Sequence, residues 1–247
     1  MSQQSSAPHP RSISERPRPN FDKEVIALRL IGGAIVLWGL LSLIGVLVKH
    51  VLAFGRVGRW DKSIELWFVA HRTVSFNTYT SFANDLANTR TVIAIAFVLL
   101  LLLRWRLRRW YESWIIITVM VGEVIIFLAV TLTVHRHRPP VVQLDKSPPT
   151  SSFPSGHTAA SMALYGAMAI LLLWIYGRSW KTIILAVLFF CIPVVVALSR
   201  LYRGMHYPTD VLAGAFGGGL WLLIVISTLL PKDEKMQRLT GRSGAMR

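Results

Sequence analysis

Residues 199–230 read SRLYRGMHYPTDVLAGAFGGGLWLLIVISTLL. The second part, Val211 to Leu230, has no charged side chain. Wound as a helix at about 1.5 Å per residue, it matches the roughly 30 Å hydrocarbon core of a bilayer. The first part packs Arg200, Arg203, His206 and Asp210 against that run. Working outward, Leu30 to Val48, Thr158 to Tyr176 and Thr182 to Ser199 are also uncharged, and Ser113 to Val134 carries a single charge, Glu123. A sixth apolar run, Thr91 to Leu103, is too short alone and extends upstream to near Tyr79 through Asp85, Asn88 and Arg90. Trp60 to Val74 sets Ile64, Trp67, Phe68 and Val74 among charges, which suits a helix lying in the membrane interface or, equally, a short loop helix packed on the bundle. The pattern predicts an all-α, six-span transmembrane helical bundle over residues 25–231, with an interfacial helix between spans one and two. Residues 1–24, rich in Ser, Pro, Gln and Arg, read as a disordered cytoplasmic tail, and 232–247 as a basic cytoplasmic tail.

Composition agrees. Of 247 residues, 53% are hydrophobic and 16% charged, against roughly 25% charged in soluble domains, which excludes a soluble enzyme. The net charge of +15 does not indicate a nucleic-acid partner, because the Lys and Arg residues fall mostly between uncharged runs rather than over a hydrophilic face. The single cysteine, Cys191, excludes an internal disulfide and is expected to pack. With six spans and the N-terminus inside, 16 Lys and Arg lie on the cytoplasmic side and 11 on the other, of which Arg136, Arg138, Arg200 and Arg203 belong to polar clusters. The positive-inside rule therefore puts both termini in the cytoplasm.

Three polar clusters interrupt the second half: His135 to Pro140, Phe153 to His157, and Ser199 to Asp210. Up-and-down threading brings all three to one outer face. Arg138 and Arg200 offer planar forks of donors suited to phosphate oxygens. Ser155 and Gly156, just before a helix, present a hydroxyl and backbone N–H groups where the helix dipole favours an anion. His157 and His206 can divide proton transfer and nucleophilic attack, with Asp210 accepting from the His206 ring and fixing its tautomer. Singly, an Arg at a membrane edge is a headgroup anchor and Ser-Gly before a helix is a cap. Together on one face they form an anion site with acid and nucleophile. His135 and His137 have no carboxylate or Cys at ligand spacing and read as interface histidines, so no metal is expected. Glu123 sits near mid-membrane, where an ionisable group by default suggests function; it reads as a protonated side chain hydrogen-bonded between helices, with a part in positioning the outer site as the alternative. Fifteen helical residues, roughly 22 Å, would separate it from Arg138.

At these residues the chain resembles the type 2 phosphatidic acid phosphatases, the PAP2 superfamily. Its signature is Lys, six residues and Arg-Pro; then Pro-Ser-Gly-His; then Ser-Arg, five residues, His, three residues and Asp. Arg138-Pro139, Pro154-Ser155-Gly156-His157, and Ser199-Arg200 with His206 and Asp210 match it. The resemblance implies a membrane lipid phosphate or diphosphate phosphatase without cofactor, acting on phosphatidic acid, phosphatidylglycerol phosphate or polyprenyl diphosphate. It implies that His206 forms a phosphohistidine, Asp210 orients it, and His157 protonates the leaving oxygen. Arg138, Arg200, Ser155 and the Gly156 N–H would hold the phosphate. One position departs: the expected Lys is Thr131, so Arg136, Arg203 or Lys146 are candidates to replace the missing cation. The alternatives are a phosphotransferase using the same intermediate and a weakened lipid-phosphate binder or transporter. The compact core suggests a bacterial inner membrane, with the site facing the periplasm or exterior.

Overall fold

The computed structural model describes residues 22–108, 110–147 and 149–230. The helices are α1 (Lys23–His50), α2 (Arg56–Ala70), α3 (Val74–Asp85), α4 (Thr89–Leu107), α5 (Tyr111–Thr133), α6 (Gly156–Tyr176), α7 (Trp180–Tyr202) and α8 (Pro208–Leu229), and there is no strand among the described residues. Their starts are written in the sequence. Asp22, Thr73, Asn88 and Ser179 each accept a backbone N–H with their side chains at the N-termini of α1, α3, α4 and α7, and Pro208 opens α8 where no N–H is needed. Residues 23 and 24, assigned to the tail from sequence, belong to the first turn of α1. Residues 1–21 and the tail 232–247 lie outside the described residues.

Five helices, α1 and α5 to α8, are long and apolar enough to cross a membrane, and α3 and α4 together make a sixth candidate bent by 47° at their junction. The sixth span, expected to extend upstream to near Tyr79, is broken at this junction. Leu86 to Asn88 leave the helix so that Asn88 can cap α4, and the polar part of the run forms α3. The exteriors of α1 and α7 are apolar, with Ile31, Ile35, Val36, Val187, Leu188, Val194 and Leu198 exposed. A patch of this extent on a soluble protein would be an interaction surface; here it suits lipid tails. Cys191 lies on this exposed face rather than in the packed interior.

α2 occupies the position between the first two candidate spans predicted for the interfacial helix. Its buried residues are the carboxylates Asp61 and Glu65, while Trp60, Leu66 and Trp67 are exposed. Of the apolar residues read from the sequence, Trp67 is exposed, whereas Ile64 and Phe68 are half-buried and the Phe68 ring meets Tyr202 edge-on at 6.4 Å.

α6 is the central helix. Ala159, Ala163 and Ala167, four residues apart, are buried on it, and such small side chains allow close backbone approach in lipid. α8 meets α6 through glycines. A Cβ on Gly214 would stand 2.4 Å from the Ser155 carbonyl oxygen, and one on Gly218 would stand 2.4 Å from that of Ala159. The Trp221 indole N–H donates to the Val119 carbonyl at 2.9 Å, joining α8 to α5. Because the atom facing Gly218 is backbone, Gly218→Ala is expected to destabilise by about 1–3 kcal/mol through overpacking. Gly39→Ala, where nothing lies within 4 Å, should be neutral or stabilising. Melting temperatures of the two variants in detergent check this.

Candidate active site

The loop between α5 and α6, residues 134–155, folds back over the end of the bundle. Ser152 N–H donates to the Arg136 carbonyl (2.9 Å), Leu144 N–H to the Arg203 carbonyl (3.1 Å) and Ser155 N–H to the Asp210 carbonyl (2.9 Å). These bonds bring the three polar clusters of the sequence together. The Gly204 backbone, at φ +70°, turns the chain between α7 and α8, a conformation that glycine adopts without strain.

His206 is buried at this junction. Its Nδ1–H donates to the Ser152 carbonyl oxygen at 2.7 Å. A carbonyl only accepts, so the proton is on Nδ1 and Nε2 is the unprotonated nitrogen. Nε2 lies 3.4 Å from Arg138 Nη1. Asp210, expected to orient the ring, stands 3.8 Å from Nδ1, beyond hydrogen-bond length. Its carboxylate accepts from Ser152 Oγ (2.8 Å), the Tyr207 N–H (3.0 Å) and Arg136 Nη1 (2.5 Å). The tautomer is therefore set by a backbone oxygen that Asp210 holds through the Ser152 hydroxyl. Burial pushes the His206 imidazole below its ordinary value; Arg200 and Arg138 push the same way, and Asp210 opposes them.

Arg136 and Arg203, the candidate replacement cations, are committed elsewhere. Arg136 bridges Asp210 and Asp61 (2.8 Å), donates to Thr209 Oγ1 and stacks on the Tyr207 ring at 4.2 Å. Arg203 pairs with Asp145 (2.6 Å) and donates to the Asn77 and Leu144 carbonyls. Thr131 is buried in α5 with its hydroxyl on the Phe127 carbonyl. None of these three lines the cavity described below. Lys146, like His135 and His137, is exposed.

Arg138 and Arg200 differ. Arg138 Nη1 donates to the Met205 carbonyl (2.9 Å), and Arg200 Nη1 donates to Asp145 (3.0 Å) and to the Asn84 side chain. Yet the Nε–H of each is buried without a partner. Both arginines line one cavity, where planar guanidinium forks can receive an anion. Burial would raise the Asp145 carboxyl, but Arg203 and Arg200 outweigh it and hold the carboxyl below its ordinary range.

These side chains border a cavity of about 780 Å³. Arg138, Arg200, His157, His206 and Gly156 form one end, and the walls are apolar residues of α4 and α5, among them Val92, Ala96, Met120, Val124 and Phe127. The first N–H groups of α6 have no intrahelical acceptor and open at the same end. Ser155 is buried behind it with its hydroxyl on Thr158 Oγ1 (3.0 Å), and is not among the lining residues. No group of three or more His, Cys, Asp or Glu side chains among the described residues has metal-binding geometry.

The PAP2 superfamily model matches residues 112–233, the segment that holds all three clusters. This segment belongs to the PAP2 superfamily. The chain is similar to an undecaprenyl-diphosphatase of Sulfolobus acidocaldarius, 35% identical over 113 residues that cover 44% of this chain and 45% of that protein. It is also similar to phosphatidylglycerophosphatase B of Bacillus subtilis, 35% identical over 91 residues, 35% of this chain and 41% of that one. The chain thus aligns with less than half the length of either relative. The crystal structure of a transmembrane PAP2-type phosphatidylglycerolphosphate phosphatase from Bacillus subtilis superposes with a TM-score of 0.68 at 20% identity, over 85% of this chain and 98% of that one. The PAP2 fold and the apolar helices together make this a multi-pass integral membrane protein.

Sequence reasoning missed Asp61, Asp145, Asn84 and the Ser152 carbonyl. Asp61 and Glu65 at i, i+4 in an apolar-looking helix were a usable signal; a backbone carbonyl offers none. The depressed His206 value carries a sign for stability. The unfolded imidazole binds its proton first as pH falls below 6.5, so native stability declines from there down to the native pKa. Between about pH 7.5 and about pH 5, the melting temperature of the wild type is expected to fall more than that of His206→Asn, which has no such proton to gain.

Proposed function

We propose that the protein is a membrane lipid phosphate or diphosphate phosphatase acting through a phosphohistidine. The observation that carries this reading is the amphiphilic cavity: two partly unsatisfied guanidiniums, two imidazoles and a helix N-terminus close one end of an apolar slot. A molecule that fits both ends has a phosphate head and a hydrocarbon tail.

In this mechanism the phosphate accepts from Arg138, Arg200 and the N–H groups at Gly156. These donors match the charge that spreads over the equatorial oxygens in phosphoryl transfer. His206 Nε2 forms a bond to phosphorus as the bond to the lipid oxygen breaks, and His157 gives that oxygen a proton. Water then bonds to phosphorus and yields a proton to His157, the P–N bond breaks with its electron pair returning to Nε2, and inorganic phosphate leaves. Asp210 acts as a positioning residue through Ser152. Ser155 supports the helix N-terminus from behind, with its hydroxyl turned to Thr158. With Thr131 in place of Lys, and with Arg136 and Arg203 in ion pairs, two cations serve the phosphate. The basic residues in the cytoplasmic segments support a site on the outer face, with both termini inside a bacterial inner membrane.

The test uses purified protein in detergent with chelator, assayed for phosphate release from phosphatidic acid, phosphatidylglycerol phosphate and undecaprenyl diphosphate. Release from at least one is expected, with His206→Ala lowering kcat on the order of 10³-fold or more. Arg138→Ala should lower kcat/KM by about 10- to 100-fold, the worth of one charge-assisted contact. Release no greater than that of His206→Ala overturns the reading, and labelled phosphate moving to an organic acceptor identifies a transferase instead.

A further inference from the structure

Glu123 has no role in the chemistry above, yet it lines the same cavity as Arg138, Arg200, His157 and His206. α5 ends at Thr133 and the following loop folds back, so Glu123 on the helix and Arg138 on the loop border one space. Glu123 is 5% exposed, and its carboxyl makes no hydrogen bond or ion pair with any described residue, so the interhelical hydrogen bond expected from the sequence is not formed. It also lines a narrow second cavity against α8, in company with Phe127 and Pro154, which border both spaces.

Its depth follows from Phe127. A Cβ on Gly156 would stand 2.8 Å from the Phe127 ring, so that ring lies level with the first residue of α6. Glu123 is one turn below it on α5, about 6 Å along the axis. A lipid whose phosphate sits at the N-terminus of α6 therefore puts the first several atoms of its alcohol opposite Glu123. In a glycerolipid those atoms include ester carbonyls; in a polyprenyl diphosphate they are hydrocarbon. An ionised side chain at this depth is costly, whereas a carboxylic acid offers one O–H donor and an acceptor. An ester carbonyl satisfies that donor, while hydrocarbon removes its water and returns nothing.

We propose that Glu123 is a specificity-determining residue that hydrogen-bonds the ester region of a glycerolipid phosphate, favouring this class over polyprenyl diphosphates. The proposal rests on reading the site as one for lipid phosphates.

The test compares phosphatidic acid with its ether-linked analogue, which has the same glycerol phosphate but no ester carbonyls. In wild type, kcat/KM for the ester form is expected to exceed that for the ether form by about 3- to 10-fold, the worth of one neutral hydrogen bond. Glu123→Leu should abolish this ratio, and Glu123→Gln, which keeps a donor, should retain most of it. Glu123→Leu should also lower the ratio of kcat/KM for phosphatidic acid to that for undecaprenyl diphosphate by about 10-fold. Equal loss on ester, ether and polyprenyl substrates would mean that the residue only supports the helix packing, and would overturn the proposal. So would a wild type that does not distinguish ester from ether.

A binding arm separates this question from catalysis. His206→Ala, with and without Glu123→Leu, is titrated with the two phosphatidic acids in detergent, and the ratio of Kd values is read. An ester preference that disappears with Glu123→Leu supports the proposal even if no phosphate is released. Failure of the hydrolysis assay alone then counts against the phosphatase reading only.

Discussion

Asp210 is a carboxylate with no solvent exposure, and the site is arranged around satisfying it. A buried charge without partners is strongly unfavourable, and removal of either partner of a buried pair leaves the other uncompensated. Arg136 supplies the opposite charge from the loop after α5, Ser152 a hydroxyl from the loop before α6, and Tyr207 a backbone N–H. The other side of the Arg136 guanidinium meets Asp61, which also accepts from the Thr209 N–H and hydroxyl and so draws α2 onto the bundle. One carboxylate thus fixes the relative positions of α2, the 134–155 loop and the start of α8. The carbonyl of the same Ser152 orients the His206 ring.

A second network, built on Asp145, does comparable work for the cations. It pairs with Arg203, whose remaining donors go to carbonyls at Asn77 and Leu144, and it takes one Nη of Arg200. Arg203 is consumed by these contacts and Arg200 is only steadied by them, keeping its Nε–H unpaired. The basic residues of the outer clusters therefore divide by function. Arg136 and Arg203 hold the fold, and Arg138 and Arg200 face the cavity. This division explains why a chain with a net charge of +15 brings only two guanidiniums to an anion site.

Much of the fold was legible because a bilayer imposes a length and a polarity on each crossing. The uncharged runs at 30–48, 158–176, 182–199 and 211–230 became α1, α6, α7 and α8, and the run with one glutamate became α5. The signature residues His157, His206, Arg138 and Arg200 also met as expected at one end of the bundle. The gaps arose where two readings of a pattern differ only by partner. On α2, Asp61 and Glu65 read only as charges between apolar residues, yet both are buried, and Asp61 pairs with Arg136 from the bundle. Likewise the signature separates Arg138 and Arg200 from Arg136 and Arg203, but only the positions of Asp61, Asp145 and Asp210 show that the latter pair is committed to the fold.

The sequence by itself determined that the chain crosses a membrane several times, which residue types converge on one face, and their likeness to the PAP2 signature. Those properties depend on local composition and on the few ways a helical chain can thread a bilayer. Only the tertiary structure decided which histidine nitrogen faces the cavity, which arginines retain free donors, and that Glu123 shares a wall with the phosphate end. Each of these depends on groups far apart in the chain meeting at hydrogen-bond distance, and such meetings are set by the reversal of the 134–155 loop and the packing of α5, α6 and α8 rather than by any local pattern.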